Sequence, residues 1–245
     1  MGLLRNMQTF RNWYCIYLTR YGFLHDAFVF KTRTGAKFIV RPWADDVRIV
    51  KSIFSKKNYV NEFVSIVANS VVVDVGANIG AFTVFAARWA EKVFAFEPEL
   101  ANFRLLCANI ELNDLKNVIP LRMAIASKRG KRTFYIADNQ HSGSHSFLLQ
   151  RYEKAIEVET LSIDDLIEQE SLRRINFLKL DCEGAEAEII EALSLETSNK
   201  IEQISLEFHQ RDSYSTEDMM KKLDSLGFDV RLGKKKSYIY ARKKE

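Results

Sequence analysis

Asp74 precedes two glycines, Gly76 and Gly80, with Asn78 between them, and the run Val71-Val72-Val73 leads into it. Such β-branched runs read as strands buried on both faces. From Ala81, residues Phe82, Phe85, Ala86 and Trp89 recur at helical spacing. A strand, a tight glycine turn and a helix N-terminus form the place where an open α/β sheet binds a nucleotide-like ligand. The spacing is not the G-x-G-x-x-G that closes backbone amides on a pyrophosphate. A carboxylate at this mouth opposes a doubly anionic group and suits a ligand carrying an ammonium and a sulfonium. A tight turn that binds nothing is the plainer alternative.

Further acids end the later apolar runs. Glu97 closes Val93-Phe94-Ala95-Phe96, roughly 20 residues beyond the glycine turn, where a carboxylate accepts both hydroxyls of a ribose. Met123, Ala124 and Ile125 can flank an adenine. Asp181 and Glu183 follow Phe177-Leu178-Lys179-Leu180, and Glu207 and His209 end the run from Ile201. These last acids and the histidine are candidates for taking a proton from a hydroxyl nucleophile. Asp181 ranks first, with Glu183 and His209 as alternatives. Glu186 can orient a neighbour or cap the turn. The plainer reading of Asp181 and Glu183 is turn and N-cap chemistry, and of Glu97 a helix-starting acid before Pro98. The same acids with His209 also have the chemistry of a divalent-cation site, but their spacing does not define its geometry and no metal is assigned.

The elements that position these residues alternate. Strands at 71–75, 93–97, 118–126, 175–180 and 201–208 are separated by helices, which argues a mostly parallel sheet covered on both faces. A closing antiparallel pair is expected at 228–232 and 237–241. Ser162-Ile163-Asp164-Asp165 opens a short helix to Gln169, and Gly227 closes a helix from Thr216. Ahead of the sheet lie a helix up to Arg20, a hairpin from Phe28 to Val40 around Thr34-Gly35, and helices over 45–54 and 59–68. The expected division is an N-terminal extension over 1–69 and a catalytic domain over 70–245. The polar loop from His141 to Ser146 is long enough to be a lid or acceptor loop.

At 245 residues, 47% of them hydrophobic, the chain can bury a sizeable core. A net charge of +4 is too mild to argue nucleic-acid binding. Cys15, Cys107 and Cys182 form neither a disulfide framework nor a zinc spacing, which points to a reducing, cytoplasmic compartment. No apolar run reaches the ~18 residues of a membrane span. The amphipathic aromatic stretch from Phe10 to Leu24 is compatible with peripheral membrane association. Oligomeric state is not legible.

Asp74 to Gly80 with Thr83 resembles the first motif of S-adenosylmethionine (SAM) methyltransferases. Together with Phe96-Glu97-Pro98, Asp181-x-Glu183-Gly184-x-Glu186 and Thr160 to Leu166, it resembles the FkbM family of those enzymes over roughly residues 45 to 210. The resemblance implies a class I, Rossmann-like sheet and SAM held by Asp74, Gly76, Asn78, Gly80, Thr83, Glu97 and Ala124. It also implies O-methylation of a hydroxyl on a sugar, glycan or small natural product. Ser127 departs from the pattern near the adenine. Transfer to nitrogen on another acceptor is disfavoured by the absence of an Asn/Asp-Pro-Pro-Tyr-type tetrapeptide. A non-catalytic protein that keeps the sheet is the reading from another class.

Overall fold

Five apolar runs pair side by side in one parallel sheet. In spatial order they are Val118–Leu121 (β5), Ala90–Phe96 (β4), Ser70–Val75 (β3), Phe177–Leu180 (β9) and Gln203–Glu207 (β10). Tyr238–Lys243 (β12) adds antiparallel to β10, and Phe228–Leu232 (β11) closes the edge antiparallel to β12. The computed structural model describes residues 2–136, 154–182, 184–209 and 214–244. Glu183 and the loop from His141 to Ser146 lie outside the described residues.

Alternation along each strand sorts the two faces of the sheet. Val73, Val75, Leu178, Leu180, Ile204 and Leu206 share one apolar cluster with Ile163–Gln169 (α6), Glu186–Ala192 (α7) and Thr216–Ser225 (α9). Val72, Val93, Phe177 and Tyr238 lie on the other face, with Ala81–Ala86 (α4) and the N-terminal segment. Asp74 and Lys179 are two residues beyond Val72 and Phe177, so they share that second face and meet as direct cross-strand partners. Leu100–Leu112 (α5) follows β4, with the Glu99 carboxylate accepting from the amides of Ala101 and Asn102 at its N-terminus. The Ser162–Asp165 capping box opens α6 as its sequence predicts. A short helix at Leu195–Asn199 (α8) is an addition that the sequence reading lacks.

Three expectations need correction. The run 118–126 is not one strand: β5 ends at Leu121, and Ala124–Ile125 (β6) leaves the main sheet. There it pairs with Lys154–Leu161 (β8), itself antiparallel to Gly130–Ile136 (β7). Pro120 is tolerated because β5 is an edge strand. The N-terminal helix is two helices, Gly2–Thr9 (α1) and Cys15–Arg20 (α2). Asn12 breaks it, donating to the Val29 carbonyl and accepting from the Lys31 amide of the hairpin strand Phe28–Lys31 (β1), both at 2.9 Å. Residues 59–68 are not helical either. Asn61 Oδ1 accepts from the amides of Phe63 and Val64 at 2.7 and 3.0 Å, a side-chain turn that replaces the helical bonds.

The hairpin partner Lys37–Val40 (β2) rests on α5. Asn109, fully buried, accepts from Ile39 N at 2.6 Å and donates to the Ile79 carbonyl at 2.8 Å. That one side chain ties the hairpin to the glycine turn. Asp46–Phe54 (α3) continues the packing through edge contacts of Phe54 with Phe38 and Phe85. Its first residue, Asp46, is fully buried and accepts from the Arg41 amide and guanidinium at 2.8–2.9 Å. Asp46→Ala is expected to cost about 3 kcal/mol by leaving the Arg41 charge without its buried partner. Urea unfolding measures this, and a loss below about 1 kcal/mol would show the pair to be dispensable.

Candidate active site

The glycine turn is shaped by how closely strands approach it. Gly76 has φ +74°, and a Cβ there would sit 1.8 Å from the Asp181 carbonyl oxygen. Gly80 has φ +85°, and a Cβ would meet Leu106 Cδ1 at 2.7 Å. Asn78 takes φ 52° between them and bonds its own turn, with Oδ1 accepting from Ile79 N at 2.7 Å. Its amide donates to Glu97 Oε2 at 2.8 Å, and Glu99 N donates to Glu97 Oε1 at 2.9 Å. Glu97 is 5% exposed, and burial pushes its carboxyl up to about 7 despite those two amides.

Asp74 stands behind this turn rather than on the cavity wall. It is fully buried, accepts from Thr83 Oγ1 at 2.6 Å, and forms an ion pair with Lys179 Nζ at 3.0 Å. Lys179, 3% exposed, also donates to the carbonyls of Gly76 at 2.7 Å and Val75 at 3.2 Å. Burial disfavours its charge, but Asp74 and Asp181 outweigh that and raise it above the ordinary lysine value. The carboxylate read as facing a cationic ligand is therefore matched by a lysine of the same chain.

A row of polar side chains follows along the strand ends. Tyr59 donates to Asp181 Oδ2 at 2.6 Å and lies 3.3 Å from Glu207 Oε2. Glu207 also accepts from Tyr238 Oη and, at 2.6 Å, from Lys235. Burial raises the Asp181 carboxyl, and Glu207 adds to this, against Lys179, His209 and Tyr59. For Glu207 burial is outweighed by Lys235 and Tyr238, which hold its carboxyl low. Two neighbouring carboxylates are thus pushed in opposite directions, the pattern that separates acid from base roles.

Beside them, His209 Nδ1 lies 3.1 Å from Glu186 Oε1. Glu186 is fully buried and accepts from the amides of Cys182 and Gly184 at 3.0–3.1 Å. Burial opposes its charge, but His209 and the two amides hold its carboxyl below the usual range. A carboxylate so held accepts Nδ1–H from the neutral imidazole and makes Nε2 the proton acceptor of the ring.

These groups open on a cavity of 540 Å³, within the range of small-molecule sites. Gly76, Asn78, Glu97, Ala124, Asp181 and His209 line it. Asp74, Gly80 and Thr83 stand behind its wall. Ser127 turns away to bond Glu188 at 2.6 Å. Lys179, Tyr59 and Tyr238 line the cavity and are not among the candidate site residues named from the sequence. Lys179 had a signal: a lysine inside an apolar two-sided strand requires a buried counter-charge. Tyr59 had none, because its neighbourhood is irregular. The glycine cradle, Glu97 and the apolar Ala124 and Phe134 fit a nucleoside. Among the described residues no group of three His, Cys, Asp or Glu is set to hold a metal ion.

Residues 74–230 match the family model described as the methyltransferase FkbM domain. The chain is similar to Methyltransferase 1 of Beauveria bassiana, 28% identical over 205 residues that cover 74% of this chain and 80% of that protein. It is 32% identical over 126 residues, 51% of each chain, to the hexuronic acid methyltransferase AglP of Haloferax volcanii. A tRNA(Phe) (4-demethylwyosine(37)-C(7)) aminocarboxypropyltransferase of Methanocaldococcus jannaschii shares 37% over 91 residues, 35% of each chain. The solved methyltransferase FkbM of Methylobacillus flagellatus has the same fold, with a TM-score of 0.50 at 15% identity over 75% of this chain and 46% of that one.

Two substitutions separate strain from clash. Gly22 has φ +72° with open space around it, so Gly22→Ala is expected to cost about 1 kcal/mol. Gly76→Ala adds a clash with backbone and is expected to cost about 3 kcal/mol or more. Equal losses in urea unfolding would remove the close approach as the reason for Gly76. Glu97 gives a pH signature. Its folded pKa is raised, so the stability it contributes is present below about 4.5 and lost as pH rises through about 7. The stability of wild type relative to Glu97→Gln is expected to fall by roughly 3 kcal/mol between those limits; a flat difference would contradict the burial assigned to this carboxyl.

Proposed function

This chain belongs to the FkbM methyltransferase family, and from that premise we propose that it transfers a methyl group from SAM to a hydroxyl of a sugar, glycan or small natural product, with His209 taking the proton. The observation that carries the assignment is the fully buried Glu186 behind His209 Nδ1. It gives the imidazole the tautomer and fixed orientation that a general base needs.

When bound, SAM supplies a sulfonium methyl open to in-line displacement. In this reading the Glu97 carboxylate holds the ribose hydroxyls, the turn from Gly76 to Asn78 lies along the nucleoside, and Ala124 flanks the adenine. Asp74, Thr83 and Gly80 support the turn from behind, with Lys179 as the buried link. On the acceptor side, Asp181, Glu207 and Tyr238 line the cavity with His209. Asp181 orients the acceptor by accepting from a neighbouring hydroxyl, and His209 Nε2 would accept from the reacting hydroxyl and take its proton as the carbon–oxygen bond forms and the carbon–sulfur bond of the sulfonium breaks.

The base moves from Asp181, the first candidate on sequence, to His209. Tyr59 already donates to Asp181, and Lys179 Nζ lies 4.0 Å from it. Asp181 is thus already engaged by neighbours of its own chain, whereas the His209 ring is oriented by Glu186, and the base is placed on His209 for that reason. A second acceptor class, nitrogen or carbon on a nucleic acid, is kept in view because one relative acts on tRNA.

The test is transfer from labelled SAM to a panel of free sugars, glycans, small hydroxylated products and bulk tRNA. A hydroxyl product is expected. His209→Gln is expected to lower kcat about 10²–10³-fold with SAM affinity within about twofold, and to flatten the acid limb of the pH–rate profile. Asp181→Asn is expected to raise the acceptor KM more than it lowers kcat. A His209→Gln enzyme that keeps both rate and acid limb would return the base to Asp181. Methylated tRNA in place of a sugar product would overturn the acceptor class, and SAM binding with no product anywhere on the panel would favour the non-catalytic reading.

A further inference from the structure

The charge of this chain is unevenly placed. Residues 1–57 hold eleven Lys and Arg against three Asp and Glu, while the remainder holds 25 against 29. Asp46 and Asp45 are engaged by Arg41 and Arg48. Arg5, Arg11, Arg20, Lys31, Arg33 and Lys37 are all exposed. Lys51 also lies near Arg20 and Lys56: burial lowers the Lys51 ammonium, and repulsion from Lys56 and Arg20 adds to it. The N-terminal segment is thus strongly cationic and joined to a body of slightly negative charge.

The same segment exposes large apolar side chains. Helix α1 is inverted by the standard of a water-facing helix. Its buried residue is Asn6, 2% exposed and donating to Tyr17 Oη at 3.4 Å, while Leu3, Leu4 and Met7 are 49%, 68% and 36% exposed. Those three form one stripe at i, i+1 and i+4. Tyr14, Tyr21, Phe23 and Trp43 add exposed rings just before and after α2 and after β2. The parts are tied together, with Arg33 Nε donating to the Met7 carbonyl at 2.6 Å and Arg11 N to the Lys31 carbonyl at 2.8 Å. Among the described residues no helix is long and apolar enough to cross a membrane.

We propose that this N-terminal face docks on an anionic lipid bilayer. Leucine, methionine and aromatic side chains enter the boundary between headgroups and acyl chains, and the arginines and lysines meet lipid phosphates. Exposed Trp and Tyr are the side chains that settle at that level. An RNA would satisfy the cations but has no use for an outward Leu3, Leu4 and Met7, since nucleic-acid sites stack bases on aromatic rings. Arg48 and Lys56 also line the catalytic cavity, so docking brings its mouth toward the headgroup layer. The docking goes beyond the methyl-transfer reading and does not depend on it.

The test is co-sedimentation of the full chain with vesicles of phosphatidylcholine, alone or with about one-third phosphatidylglycerol, at about 0.1 M salt. Partition is expected onto the anionic vesicles and to fall steeply as salt is raised. The double variant Leu4→Ser/Phe23→Ser and the double variant Arg5→Gln/Arg11→Gln are each expected to bind at least about tenfold more weakly. Both should keep the wild-type circular dichroism and the wild-type rate on a water-soluble acceptor. Equal binding to both vesicle types, or variants that bind as wild type, would overturn the proposal. So would a wild-type dimer that Leu4→Ser/Phe23→Ser converts to monomer, or tRNA binding that both variants lose while vesicles go unbound.

Discussion

The ion pair between Asp74 and Lys179 is the constraint on which the site depends. Two charges in a dry place are costly unless matched and hydrogen-bonded, and here the match is made across the two central strands. Asp74 takes Thr83 from α4 as well, while Lys179 spends its other protons on the carbonyls of Val75 and Gly76. One buried pair therefore joins β3, β9, the first helix after the turn and the turn itself. It also explains why Gly76 tolerates no side chain: the strand that supplies Lys179 runs on to Asp181, whose carbonyl occupies that space.

Beyond this pair the strand ends diverge in charge behaviour. Glu97 and Asp181 are pushed up by burial, whereas Glu186 and Glu207 are held low by their donors. A carboxylate low in pKa is a permanent anion and serves as an anchor, for the His209 ring in one case and for Lys235 and Tyr238 in the other. The glycine turn and Glu97 line one part of the cavity, and the polar row from Tyr238 to His209 lines another; the proposed reading gives the first to the cofactor and the second to the acceptor. Methyl transfer needs alignment more than it needs strong reagents, and the cavity where the proposed reading places it is walled by strand ends on one side and by α3 on the other.

The N-terminal segment contributes to that wall through contacts unlike those of the sheet. Its hairpin is held by the side chains of Asn109 and Asn113 rather than by a further strand. Tyr59 reaches Asp181 and Glu207 from a stretch whose backbone is organised by Asn61. A segment anchored by side chains leaves much of its own outer surface unpaired, and that surface is where the apolar and cationic groups gather.

The sequence by itself determined the strand–turn–helix at Asp74 to Gly80, the parallel sheet with its antiparallel close, the helix start at Ser162 to Asp165 and the acid at Glu97. These are legible because they depend on periodicity two or 3.6 and on glycine's freedom at positive φ, all of which are local. The family likeness was legible for the same reason, resting on short runs at strand ends. Only the tertiary structure decided what Asp74 faces, because the answer lies 105 residues away on a neighbouring strand in register. It alone brought Tyr59 and Tyr238 to Asp181 and Glu207, and placed Glu186 behind His209. Local pattern sets which residues stand at the end of a strand. Which of them face the ligand, and which are consumed in matching one another's charge, follows from register and burial that no short window contains.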